Sequence, residues 1–234
     1  MSELDGGMPE AQWLNHHVLP EQASLWCMTR HSVREQAGEA VAGYDVPLTP
    51  AGVILAEQWG ARLSREIDHA CTSPVGRCQD TLSAILRGRG TTLSAITSER
   101  LVEPGAFVED VRHVWPEFVR SGPIGLAQRH LGGEMIPGMR SPQAGVRRIL
   151  ELFRQHVPGQ GRVSLMVTHD TVLAAFLYSL MGRTWLQKDD WPAMMEAAWF
   201  WMDESRLYWL WRGVTGSREL EQLSPDSEEK PISS

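Results

Sequence analysis

The stretch SLWCMTRHSVRE, residues 24–35, carries an apolar run, Ser24 to Met28, straight into Thr29, Arg30 and His31. A short apolar run stopped by polar residues reads as a buried strand with chemistry at its carboxyl end. Two further segments repeat the pattern. Asp68 to Thr72 (DHACT) leads into Ser73, Pro74 and Arg77, and Arg162 to Val167 (RVSLMV) leads into Thr168, His169 and Asp170.

Helical signals lie between these strands. In LTPAGVILAEQWGARLSREI, Thr49 is a natural N-cap, Pro50 takes the first helical position, and Val53, Ala56, Gly60, Leu63 and Ile67 recur at helical spacing. Ser73-Pro74 repeats the cap-then-proline signature before a helix whose Cys78, Leu82 and Ile85 share one face and which Gly88 and Gly90 end. Residues 92–96 (TLSAI) suggest a small strand. Pro142 to His156 turns Val146, Ile149, Leu150 and Phe153 inward, and TVLAAFLYSLMG reads as a buried helix ending at Gly182. AAWFWM and RLYWLW, joined through Asp203, Glu204 and Ser205, predict an antiparallel hairpin.

Strands alternating with helices predict the α/β class, as a three-layer α/β/α sandwich on a mainly parallel sheet with a C-terminal β-hairpin. Residues 104–141, with scattered Gly, Pro, Trp and His, read as an irregular insertion lying over the site at one edge of the core. We expect one domain over residues 1–221 and a disordered tail over 222–234, where Ser, Pro, Asp and Glu dominate.

Composition narrows the function. The net charge of −7 argues against nucleic acid or an anionic membrane as partner, so phosphate chemistry needs a local basic cluster. Of 22 basic residues only Lys188 and Lys230 are lysines, and guanidinium suits forked contacts to phosphate, although a codon bias toward arginine explains the same count. Three cysteines, Cys27, Cys71 and Cys78, are too few for a disulfide framework and point to a reducing cytoplasm. The first thirteen residues are acidic and glycine-rich, unlike a secretion signal, and no apolar run has the length of a membrane helix.

In open parallel sheets ligands bind beyond the carboxyl ends of the strands, so the three polar segments are expected to converge on one crevice. It would hold His31, His169, Arg30, Arg34, Arg77 and a carboxylate, with backbone N–H groups at two helix starts, which is a site for a phosphoryl dianion. A neutral, oriented imidazole can displace the alcohol of a phosphoester and form a phosphohistidine that water hydrolyses. Nearby guanidinium groups lower the imidazole pKa and stabilise charge on the transferring group. Asp170 and Glu103 are the candidates to protonate the leaving alkoxide, and Asp170 is preferred because it stands beside His169.

The segments TRHSVRE (29–35), LTPAG (48–52), CTSPVGRCQDT (71–81), LVEPGAF (101–107) and VTHDTVLAAF (167–176) resemble, in order and context, the histidine phosphatase superfamily, the phosphoglycerate mutase-like fold. The resemblance spans about residues 24–182. It implies that His31 is the phosphorylated nucleophile and that Arg30, Arg34, Arg77 and His169 form the phosphate pocket. Asp170 matches the proton donor of the acid-phosphatase branch, and Glu103 that of the mutase-like branch. The family usually carries glycine after the nucleophile. Here Ser32 would either crowd the pocket or add a hydroxyl contact to phosphate.

The expected activity is a phosphomonoester hydrolase acting on a small phosphorylated metabolite, with no metal or cofactor. Its rivals are a phosphomutase using the same pocket and, because of Ser32, a non-catalytic phospholigand-binding protein. A metal centre on His31, His169, Asp170 and Glu103 is disfavoured because the arginines beside each histidine repel a divalent cation. His16 and His17 read as a surface pair without ligand spacing; His113 and Trp115 read as substrate contacts or as packed or solvated residues. The six tryptophans from Trp185 to Trp211 alternate as packing residues would, and an exposed row would instead mark a homodimer surface.

Overall fold

A computed structural model of the chain describes residues 19–35 and 46–223. The His16–His17 pair, the Gly38–Gly43 loop and residues 224–234 of the expected tail lie outside them.

Seven strands form one sheet in the order β3-β2-β4-β1-β5-β6-β7. They are β1 (Leu25–Arg30), β2 (Ile67–Thr72), β3 (Ile96–Thr97), β4 (Val163–Thr168), β5 (Ala197–Met202), β6 (Arg206–Trp211) and β7 (Val214–Glu219). The first four run parallel, with β4 between β2 and β1, and the last three are antiparallel. The expected hairpin is therefore a three-stranded meander. VTGSRE gave no strand signal because it lacks apolar alternation, and its side chains are all partly or fully exposed at the sheet edge.

Among the described residues, five helices flank the sheet: α1 (Pro50–Arg62), α2 (Gly76–Arg89), α3 (Val111–Leu131), α4 (Pro142–Gln155) and α5 (Asp170–Leu180). Alternation along each strand decides which face a side chain meets. Leu25, Cys27, Val163, Leu165 and Val167 pack with Trp59, Leu82 and Ile85 of α1 and α2. Trp26, Met28 and Met166 pack with Phe153 and Phe176 of α4 and α5, on the other face. Three layers result, as the sequence predicts.

Helix ends follow their local chemistry. Thr49 Oγ1 accepts from Gly52 N at 2.9 Å and Pro50 opens α1; Ser141 caps α4 in the same way through Ala144 N. Gly90 ends α2 with φ 74, but Gly88 belongs inside that helix. A Cβ on Gly88 would lie 1.9 Å from Glu57 O of α1, so the glycine is there to let the two helices touch.

The insertion is more regular than its sequence suggests. Pro116 and Pro123 argue against one continuous helix, and α3 is indeed two helical pieces meeting at Gly122, with φ 67 and ψ 174, where Pro123 opens the second. Asp110 caps the first piece through Arg112 N, and Val108, Val114, Leu126 and Ile136 form a small core of their own. Leu223, expected in the tail, closes a short turn and is buried against the main core.

Candidate active site

The strand ends converge as the sequence predicts. β2, β4 and β1 are neighbours in the sheet, so Ser73, His169 and His31 stand side by side. Backbone bonds fix the three ends: His31 N donates to Thr168 O at 2.9 Å and Ser73 N to Val167 O at 3.0 Å. The two imidazoles face each other edge to face, 5.6 Å between centroids and 70° between planes.

Arg77, in the first turn of α2, bridges them. Its Nε donates to His31 Nε2 at 3.0 Å and its Nη2 to His169 Nδ1 at 3.1 Å. A guanidinium only donates, so both of those ring nitrogens are acceptors. The tautomers follow: His31 donates through Nδ1 to Ser32 O at 2.8 Å, and His169 donates through Nε2 to Ser73 Oγ at 2.9 Å. The lone pair of His31 therefore sits on Nε2, where it meets the Arg77 guanidinium.

Both imidazoles are neutral over most of the pH range. Burial, with Arg77 and Arg30 adding to it against the Ser32 carbonyl, brings His31 down to about 4. Burial, Arg77 and the neighbouring His31 bring His169 down to about 3. Cys78 Sγ lies 3.6 Å from His169 Nε2, and burial pushes that thiol up to about 12, so it keeps its proton at neutral pH.

The two carboxylates differ. Asp170 opens α5; its Oδ2 pairs with Arg30 Nη2 at 2.9 Å and accepts from Trp191 Nε1 at 3.1 Å, while Oδ1 accepts from Thr171 N at 3.0 Å. Burial opposes ionisation, yet Arg30, the indole N–H and the Thr171 amide hold this carboxyl below its ordinary value. Glu103 behaves in the opposite sense. Burial and the Asp170 charge, opposed by a bond to Thr171, push it up to about 7. The sequence preference for Asp170 as acid meets a carboxylate already committed to an arginine, whereas Glu103 keeps its proton near neutrality.

Arg30 is held at both ends of its fork, Nη1 on Pro192 O at 2.7 Å and Nη2 on Asp170. Its Nε is buried without a protein partner among the described residues, a cost that a bound anion beside it would remove. Arg34 donates to Glu35 O at 3.3 Å, and its charge is felt at Arg30. Ser32 is a correction: its hydroxyl is fully buried and donates to Gly52 O at 2.7 Å, so it turns into α1 rather than toward the imidazoles. Its amide donates to Thr81 Oγ1, which ties the residue after His31 to α2.

Sequence reasoning missed Trp191, Pro192, Glu196 and Arg212. Glu196 had a readable signal, being a lone acid in the apolar run MMEAAWFWM, where burial demands a partner. Ser73 was read as a helix cap, but α2 begins later and the hydroxyl serves His169. His113 and Trp115 are exposed on α3, the first with Nδ1 3.2 Å from Asp110 Oδ2 and the second stacked on Phe118. Trp199, Trp209 and Trp211 are buried, as packing residues should be, while Trp185 is exposed.

Similar solved structures share this architecture, the phosphoglycerate mutase-like fold. The chain is similar to a mycobacterial glucosyl-3-phosphoglycerate phosphatase in complex with VO3, at 19% identity over 82% of this chain and 100% of that one, with a TM-score of 0.53. It is similar to a mycobacterial hydrolase (hydrolase 2) at 16% identity over 91% of this chain and 100% of the other, with a TM-score of 0.53. The product of an open reading frame of Mycobacterium tuberculosis aligns at 17% identity over 83% and 95% of the two chains, with a TM-score of 0.51. No curated protein matches the chain. A family model described as histidine phosphatase superfamily (branch 1) matches residues 26–206, so the chain whose strand ends bring His31, Arg77 and His169 together belongs to that superfamily.

Proposed function

We propose that this protein hydrolyses a phosphomonoester on a small phosphorylated metabolite through a phosphohistidine on His31. The observation that carries the reading is the orientation of that imidazole. Nδ1 is tied to Ser32 O, and Nε2 presents its lone pair between Arg77 and His169. Substrate phosphate displaces Nε2 from Arg77 Nε and takes the guanidinium contacts itself.

Nε2 then attacks phosphorus while the P–O bond to the alcohol breaks, and the alkoxide takes the proton of Glu103. Charge developing on His31 is stabilised by Nδ1–H on the Ser32 carbonyl, and charge on the equatorial oxygens by Arg77 and Arg30, with His169 holding the Arg77 guanidinium in place. In the second half, Glu103, now a carboxylate, accepts a proton from water as water attacks the phosphohistidine. Inorganic phosphate leaves, and His31 returns to its neutral form. Asp170 holds Arg30 rather than a proton.

Two points favour hydrolysis over the rival readings. The superfamily is described by its phosphatases, and a solved neighbour is named as a phosphatase, which favours water over a returning sugar or acid as acceptor. Ser32, the reason for considering binding without turnover, has its hydroxyl on Gly52 O. The test is a base-quenched incubation with an aryl phosphate, followed by 31P NMR and peptide mass mapping. A phosphorylated His31 and stoichiometric inorganic phosphate are expected, both absent in His31→Ala. Turnover in that variant, or a label on another residue, removes His31 from the role.

A further inference from the structure

We infer that the ion pair between buried Glu196 and partly buried Arg212 positions the guanidinium of Arg30 and its Asp170 counter-charge, an inference resting on the phosphate pocket proposed above. Glu196 directly precedes β5 and is 4% exposed. Arg212 Nε reaches its Oε1 at 2.6 Å, and Nη2 reaches its Oε2 at 2.8 Å, a forked contact. Oε2 also accepts from Ala193 N at 2.8 Å. Arg212 spends its other donors on the same segment, Nη1 on Asp189 O at 2.6 Å and Nη2 on Trp191 O at 3.2 Å.

One charge pair thus fixes residues 189–196 at several backbone points. That segment grips the site directly. Trp191 Nε1 donates to Asp170 Oδ2, Pro192 O accepts from Arg30 Nη1, and Glu196 O accepts from Arg30 N at 3.1 Å and Thr29 Oγ1 at 3.2 Å. Arg30 is held from one segment at its amide and at its guanidinium.

Backbone strain marks the same place. Among the described residues, Met195 (φ 62) and Arg212 (φ 50) are the two non-glycine residues with positive φ, and one adjoins Glu196 while the other is its partner. Each belongs to a tight turn, Met195 to the one closed by Glu196 N on Ala193 O and Arg212, with Gly213 at φ 77, to the two-residue turn between β6 and β7, so both ends of the pair leave from fixed backbone. Stability alone is a poor reason for the pair, since well-packed apolar side chains often serve a buried position equally well. A forked pair adds geometry, and here the geometry ends on Arg30 and Asp170.

Without the pair, Arg30 loses its Pro192 anchor and Asp170 loses the indole donor, so Asp170 competes with phosphate for the guanidinium. Phosphate affinity falls more than turnover. The test uses the full-length chain with Arg212→Ala, reading inorganic phosphate affinity by calorimetry and aryl phosphate kinetics. We expect about tenfold weaker phosphate binding, KM raised about tenfold and kcat within about threefold, with added guanidinium restoring affinity. Affinity and KM within about twofold of the parent overturn the inference, as does an equal fall in kcat that guanidinium does not recover. Arg212→Lys, which keeps the charge but not the fork, is the second variant should the alanine chain not fold. It is expected to weaken phosphate binding, and parental affinity in it overturns the inference. If the parent binds no phosphate, the proposed function fails separately. The positioning claim is then judged by a crystal structure of Arg212→Ala or Arg212→Lys: unmoved Trp191–Asp170 and Arg30–Pro192 contacts overturn it, and their separation sustains it.

Discussion

Varying pH while exchanging each of the two carboxylates separates their roles. With His31 down to about 4 and Glu103 up to about 7, the working form has a neutral imidazole and a protonated Glu103. At pH 5.5 about nine-tenths of the protein is in that form; at pH 8 about one-tenth is, and each further pH unit costs about another factor of ten. The assay is kcat/KM for an alkyl and an aryl phosphate between pH 4 and 9, corrected for the second ionisation of the substrate phosphate near about 6. Glu103→Gln should remove the alkaline limb and slow the alkyl ester by about 10²- to 10³-fold, with a much smaller effect on the aryl ester, whose leaving group needs little protonation. Asp170→Asn should keep the parental leaving-group dependence. Its alkaline limb should move to lower pH, because the charge that pushes Glu103 up is gone. An alkaline limb surviving in Glu103→Gln, with leaving-group sensitivity appearing in Asp170→Asn, refutes the assignment.

Three further outcomes are expected. Between about pH 4.5 and 6.5 the unfolded chain takes up protons at His31 and His169 that the fold excludes, while the folded Glu103 holds one that the unfolded chain has lost. The net is one proton, so these groups make stability fall by about 1.4 kcal/mol per unit as pH drops through that window; urea titrations should show it, and Glu103→Gln should about double the slope. Gly88→Ala, although alanine is the better helix former, places a methyl 1.9 Å from Glu57 O. It should cost about 1–3 kcal/mol by calorimetric melting, and a raised Tm would show that α1 and α2 separate freely. Ser32→Gly should lose the bond to Gly52 O, about 1 kcal/mol, with kcat/KM kept within about threefold; a large kinetic loss would place the hydroxyl in the pocket after all.

The legible parts of this protein were those encoded over one element. The apolar runs of β1, β2 and β4, the Thr49 cap, the helical face of α4 and the polar residues after each strand are local signals, and the sheet turned them into one site. β3 shrank from the expected 92–96 to two residues, Ile96 and Thr97, because only Cys71 and Thr72 of β2 offer it a partner. α3 was hidden by Pro116, Gly122 and Pro123, whose disruption is absorbed by a break between two pieces. The carboxylates could not be ranked from sequence. Their difference lies in which of them meets Arg30, and Trp191, which helps decide it, is twenty-one residues beyond Asp170 along the chain. Ser32 was misjudged because the direction of its side chain depends on α1, through Gly52.

The strand order has a consequence for how a nascent chain reaches this state. β1 and β2 do not touch each other; β4 lies between them, and it emerges from the ribosome about ninety residues after β2 has been made. Until Val163–Thr168 arrives, both earlier strands carry open backbone edges, which are templates for pairing with another copy. His31 and Ser73 likewise wait for the Thr168 and Val167 carbonyls that hold them. Release of a chain cut short before β4 would therefore yield a sticky, inactive fragment, and the last parallel strand to be synthesised is the one that closes the centre.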